Sequence, residues 1–150
     1  MMTLSNTELD TDVFALDSNV LLYALDKSAG KKHELCKELL ADGFRGSITY
    51  FIPLQVLSEF FFVVSRGKVK ADIDEAEELI RYMIDLPNFI IKSADESSLL
   101  EAVNFHRKYN LHYWDALIVA VMKKNLVSNI YTENEKHLSV IGINAVNPFS

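Results

Sequence analysis

Three carboxylates in this chain stand in segments that otherwise read as protein core. Asp17 ends the apolar run Val13-Phe14-Ala15-Leu16, Glu59 sits in Leu57-Ser58-Glu59-Phe60-Phe61-Phe62-Val63-Val64, and Asp115 opens Asp115-Ala116-Leu117-Ile118-Val119-Ala120-Val121. Burying an unpaired carboxylate costs several kcal/mol, at least ~2 on conservative scales, unless it is protonated, hydrogen-bonded or bound to a cation. Each acid has a structural reading of its own: Asp17 can cap the next helix, Asp115 can favour the first turn of its own, and Glu59 can snorkel to solvent. Taken together, three such acids point to convergence on one positive ion, most naturally a hard divalent metal.

The segments around them alternate in kind. Short runs rich in β-branched and aromatic residues occur at Val13–Leu16, Ser47–Ile52, Phe89–Ile91, Asn129–Thr132 and Ile143–Val146. Between them lie stretches with helical spacing, such as Leu35, Cys36, Leu39, Leu40 and Ala76, Leu79, Ile80, Met83, Ile84. Start signals agree: Pro53 suits the first turn of the helix carrying Glu59, and Asp72-Ile73-Asp74-Glu75 puts acids at a helix's positive end. Ser93-Ala94-Asp95-Glu96 has the spacing of a capping box before Leu99, Leu100 and Val103. Gly43-Phe44-Arg45-Gly46 reads as a turn. Strands apolar on both faces, alternating with helices, predict an α/β fold with a parallel sheet covered by helices. Ligands of such sheets gather at the carboxyl ends of strands, where Asp17 lies. The helices at Glu59 and Asp115 are apolar nearly all round, which predicts packing against the sheet.

The chain has 150 residues, and no linker or repeat divides it, so residues 1–150 are expected to form one domain. The longest apolar stretches fall short of a membrane span. Met1–Glu8 has neither the basic start nor the apolar core of a signal peptide. Cys36 is alone and on an apolar helix stripe, which predicts a structural thiol and a reducing, cytoplasmic setting. A net charge of −6 argues against wrapping nucleic acid over the whole surface, though not against a local basic patch.

The residues around the acids carry a specific resemblance. Leu16-Asp17-Ser18-Asn19-Val20-Leu21-Leu22-Tyr23 resembles the opening of a PIN domain, and Gln55-Val56-Leu57-Ser58-Glu59-Phe60 resembles its second acidic motif. Tyr113-Trp114-Asp115-Ala116-Leu117-Ile118-Val119-Ala120 is similar to its third. Tyr131-Thr132-Glu133-Asn134, followed by Val146-Asn147-Pro148-Phe149, is similar to the ending of the VapC-like toxins of type II toxin–antitoxin systems. The resemblance implies a three-layer α/β/α sandwich with a central parallel sheet of about five strands. It also implies a Mg²⁺- or Mn²⁺-dependent endoribonuclease silenced by an antitoxin protein and assembled as a homodimer. By the same resemblance Asp17, Glu59 and Asp115 are the catalytic, metal-holding acids, with Ser18 and Asn19 positioning the substrate. Many relatives carry an acid where this chain has Asn134. Glu133 is therefore expected as the fourth carboxylate, with Asn134 as the alternative ligand and Glu135 expected to point elsewhere.

Other residues carry weaker signals. His33, His106, His112 and His137 show no paired spacing on one helix face, so no zinc site is expected. Lys31 with Lys32, Arg66 with Lys68 and Lys70, and Lys123 with Lys124 are small basic groups; Arg66 and Lys68 are the preferred phosphate contacts. Phe60–Phe62 and Trp114 are read as core or dimer-interface residues rather than base platforms. Two other functions compete. One is a PIN-like module that binds RNA or protein with weak or no nuclease activity. The other is a Mg²⁺ phosphatase using Asp17 as nucleophile, which usually wants an acid where Asn19 stands.

Overall fold

The computed structural model describes residues 13–134 and 138–150; Met1–Glu8, Glu135 and His137 lie outside them. Five strands form one sheet: β1 (Phe14–Leu16), β2 (Tyr50–Pro53), β3 (Phe89–Lys92), β4 (Asn129–Tyr131) and β5 (Asn144–Val146). Their order is β3-β2-β1-β4-β5, and every neighbouring pair is parallel. The helices are α1 (Ser18–Leu25), α2 (Lys31–Phe44), α3 (Leu54–Ser65), α4 (Ile73–Asp85), α5 (Glu96–Tyr109) and α6 (Tyr113–Lys124).

The strand order dictates the layers. From β1 the chain moves outward to β2 and β3 through α1–α2 and α3–α4, then crosses back over the sheet through α5–α6 to β4 on the far side of β1. Right-handed crossovers in opposite directions place their helices on opposite faces, which makes the α/β/α sandwich. β1 and β4 are where the direction reverses, and a crevice opens at the carboxyl ends of such a pair. β2 is buried at all four positions, as a central parallel strand must be.

Several local expectations shift in the structure. Pro53 closes β2 and precedes α3 instead of lying in its first turn. Asp95, not Ser93, caps α5: its side chain accepts the Ser98 N–H at 2.9 Å, while the Ser98 hydroxyl accepts the Asp95 N–H at 3.2 Å. α5 turns Ser98, Ala102 and Phe105 inward and leaves Leu99, Leu100 and Val103 exposed. Small residues at 98 and 102 let α5 lie close to α6, which decides the buried face against the larger residues. On α4 Ala76, Leu79 and Met83 are buried, but Ile84 is exposed. Cys36 is fully buried, and burial pushes its thiol up to about 12, as suits a structural thiol. No helix among the described residues is long and apolar enough to cross a membrane.

Gly43 sets how closely α2 approaches the sheet. A Cβ there would stand 2.6 Å from Phe89 Cζ and 3.0 Å from Tyr50, both buried. Alanine improves helix propensity by about 1 kcal/mol, but overpacking costs about 1–3 kcal/mol, so Gly43→Ala should destabilise the fold by about 1 kcal/mol. Urea denaturation checks this, and a raised midpoint would mean that Phe89 yields freely.

Candidate active site

Asp17 is placed by the end of β1. It has extended backbone angles (φ −82°, ψ 161°) and caps α1, its Oδ1 accepting the Ser18 N–H at 2.7 Å. The capping role is thus real, and it occupies one carboxylate oxygen. Oδ2 accepts the hydroxyl of Thr132 at 2.8 Å, and the Thr132 Oγ1 accepts the Asn134 N–H at 3.1 Å. Thr132 is 2% exposed and directly follows β4. The Asp17 N–H donates to the Tyr131 carbonyl at 3.2 Å, so the two strand ends are joined by backbone and side chain together.

Asp115 comes from the opposite layer, in the first turn of α6. It is half-buried, and its carboxyl is pushed above the ordinary value, first by burial and then by the negative charge of Asp17, with His112 opposing. Asp17, Asp115, Thr132 and Asn134 line a cavity of about 30 Å³ whose walls include Leu111, Ile118 and Ile130. That is room for a water molecule or an ion, since one water needs roughly 10–15 Å³. On its other side Asp115 meets a wider groove shared with Glu59, whose Oε1 accepts Gln55 Nε2–H at 2.7 Å.

Asp115 therefore belongs to both cavities and links the two other acids. Among the described residues no Lys or Arg forms an ion pair with Asp17, Glu59 or Asp115. Nor do three His, Cys, Asp or Glu side chains there stand close enough to hold an ion as they are. The donor set is nonetheless all oxygen, and among the described residues no Lys or Arg offsets its charge. Such a set suits a hard divalent cation.

Glu133 and Asn134 are sorted differently from the expectation. Glu133 accepts the Tyr23 hydroxyl at 2.7 Å and pairs with Lys32 at 2.5 Å, and Lys32 also lies 5.1 Å from the ring centres of Tyr23 and Phe149. Burial pushes the Glu133 carboxyl up, but Lys32 and Tyr23 outweigh it and hold the group below its ordinary value. Asn134, not Glu133, faces the cavity with Asp17.

Ser18 and Asn19 occupy the first turn of α1, half-buried, and are not among the residues lining either cavity. Arg66 and Lys68 are exposed beyond the end of α3, with Arg66 lying 5.5 Å from the Phe62 ring centre. Lys123 donates to the Ile141 carbonyl at 2.7 Å, and Lys124 holds Asp95 and Ser97, so these two cations are structural. His33 and His106 each donate to a backbone carbonyl, of Tyr23 and Leu111. Phe60 is core, but Phe62 and Trp114 are 59% and 54% exposed.

Thr132, Gln55 and Lys32 hold the acids in place and were not singled out for it. Gln55 stands four residues before Glu59, a pairing that helical spacing can reveal. Thr132 and Lys32 meet partners more than 100 residues away, and no local pattern announces that.

Comparison with known proteins follows the same lines. No curated protein matches the chain in sequence. Among solved structures, VapC20 of Mycobacterium tuberculosis, a sarcin-ricin loop cleaving toxin, matches with a TM-score of 0.68 at 17% identity, over 90% of this chain and 99% of its own. A toxin–antitoxin complex from Klebsiella pneumoniae matches over 90% and 97%, with a TM-score of 0.62 at 20% identity. VapBC2 of Rickettsia felis, bound to a DNA fragment from its promoter, matches over 90% and 98%, with a TM-score of 0.62 at 18% identity. At these identities the likeness is one of fold. The PIN domain profile matches residues 14–142, a span that contains Asp17, Glu59, Asp115 and Thr132, and the chain belongs to the PIN domain family.

Proposed function

We propose that this protein is a Mg²⁺- or Mn²⁺-dependent endoribonuclease that hydrolyses RNA phosphodiester bonds as the toxin of a toxin–antitoxin pair. One observation carries the reading: Asp17 at the end of β1 and Asp115 on α6 face one small cavity, and among the described residues no Lys or Arg is paired to either. Asp17, Asp115, Glu59 and the Asn134 carbonyl would hold the cation. When bound, it supplies Lewis acidity and eases deprotonation of water for attack on phosphorus.

The chain's own residues set up that chemistry. Thr132 fixes one oxygen of Asp17 and Gln55 fixes one oxygen of Glu59, which limits how far either carboxylate can swing. Leu111, Ile118 and Ile130 keep bulk water from the inner cavity, which strengthens charge interactions inside. By the family resemblance Ser18 and Asn19, just beyond Asp17, would position substrate, while the exposed Arg66 and Lys68 would receive flanking phosphates. Structural neighbours that are toxin–antitoxin complexes support an antitoxin partner. The exposed Leu99, Leu100 and Val103 of α5 are the face that a second copy would cover in a homodimer, and the setting is the cytoplasm.

A second reading has one observation in its favour. With Glu133 held by Lys32, and no three-ligand cluster formed among the described residues, a PIN fold that binds RNA or protein without cutting it fits the same coordinates. Asp17→Asn and Asp115→Asn distinguish the two. Asparagine caps a helix as well as aspartate does, and neutralising Asp115 relieves both its burial and its repulsion by Asp17. Each variant should lose Mn²⁺-dependent RNA cleavage; without metal, Asp115→Asn should melt at the same temperature as the parent or higher, whereas Asp17→Asn, which keeps one acceptor oxygen for the Ser18 N–H and the Thr132 hydroxyl, should melt no higher than the parent. Cleavage by the parent that survives in both variants would remove the acids from the mechanism. No cleavage by the parent at all would favour the binding module.

The fourth ligand is tested by Mn²⁺ calorimetry. Asn134→Asp should tighten Mn²⁺ binding, because the added charge faces the cavity. Glu133→Gln should leave Mn²⁺ affinity nearly unchanged and lower the melting temperature through its weakened contact with Lys32. The reverse pattern would return Glu133 to the metal site.

A further inference from the structure

The outer groove beside Asp115 does not resemble a surface built for metal ligation alone. Its α3 wall carries Gln55, Glu59 and Phe62, at i, i+4 and i+7, so one helix stripe runs from an amide through a carboxylate to an aromatic ring. Trp114 faces this stripe from α6, and more than half of each aromatic side chain is exposed. Just past Phe62, the Arg66 guanidinium lies against its ring. The Gln55 amide donates to Glu59 Oε1 at 2.7 Å and to the Trp114 carbonyl at 3.4 Å, which ties the two walls of the groove together.

We propose that this groove is a subsite for one unpaired nucleobase of the RNA, stacked on Trp114 and Phe62 next to the scissile phosphate. The proposal rests on the nuclease reading, which places the reacting phosphate at Asp115. Single-stranded RNA is held by stacking splayed bases on aromatic faces while cations meet the flanking phosphates. The groove offers those elements in that order: acids, aromatic rings, then Arg66 about 10 Å along the helix from Glu59. A protein partner would bury Glu59 and Asp115 away from water and would have to bring a cation of its own to offset that cost, whereas a splayed base leaves both acids wet.

Trp114 is the single tryptophan of the chain, so its emission reports this groove alone. The experiment uses full-length protein in chelator, where no cleavage occurs, and is repeated in Ca²⁺. The probes are an end-labelled hexa-adenylate RNA and a hexamer of the same backbone without bases. The base-bearing strand should bind, read by anisotropy, and quench Trp114 emission, whereas the abasic strand should bind more weakly without quenching. Trp114→Ala should weaken binding of the base-bearing strand roughly 5- to 150-fold, the range for loss of one base–aromatic stack. Trp114→Tyr should restore most of it, which guards against a mere folding defect in the alanine variant.

Bound RNA with unchanged Trp114 emission would overturn the subsite, as would unaltered affinity in Trp114→Ala, or no binding in either buffer. Conversion of a dimer to a monomer by Trp114→Ala, read by light scattering, would assign the groove to a second copy and overturn it as well. Failure of the nuclease reading looks different. A chain that quenches on RNA but never cleaves it keeps the subsite, and one that cleaves without quenching loses only the subsite.

Discussion

The junction of β1 and β4 is the constraint on which the rest of the site depends. These two strands meet where the chain reverses its direction across the sheet, and their carboxyl ends are tied by three linked contacts. The Asp17 N–H reaches the Tyr131 carbonyl, the Thr132 hydroxyl reaches Asp17, and the Asn134 N–H reaches Thr132. A parallel sheet leaves such a junction open because the helices on either side belong to different crossovers. One small hydroxyl therefore sets both the direction of a carboxylate and the path of the loop that follows β4.

Charge sets the other condition. The protein brings Asp115 toward Asp17 in a largely apolar cavity, and among the described residues no Lys or Arg pairs with either, so the repulsion between them is opposed only by His112. Elsewhere the same chain pairs its acids readily, as Lys32 does for Glu133 and Lys124 does for Asp95. The contrast sets Asp115, whose burial beside Asp17 costs stability, apart from acids held by a cation. A cation in the cavity would reverse that cost, which couples metal affinity to folding.

The outer surface divides by chemistry as well. Leu99, Leu100 and Val103 form an apolar stretch with no acid from the site within it, which suits contact with another protein. Phe62 and Trp114 instead flank two acids, and a wet, polymeric ligand can reach them without stripping those acids of water. Two exposed hydrophobic regions on one small chain thus offer different chemistry to a partner.

Much of this was legible in the sequence alone. The five β-rich runs became the five strands, and Asp72 and Asp17 became helix caps, because strand propensity and capping are local properties. The acids at 17, 59 and 115 stood out because each breaks an apolar run. Which face a helix buries was less secure: Ser98 and Ala102 face inward on α5 while the larger Leu99 and Leu100 face out, since the approach of α6 decides it. The sequence offered both Glu133 and Asn134 for the fourth position and could not say which of them faces the cavity. Those neighbours differ in placement because Lys32 and Tyr23, about a hundred residues away, lie beside Glu133. Residue type and spacing determine which groups are chemically able to form a site; only the packed chain determines which of them face each other, because that depends on contacts between segments with no local relation.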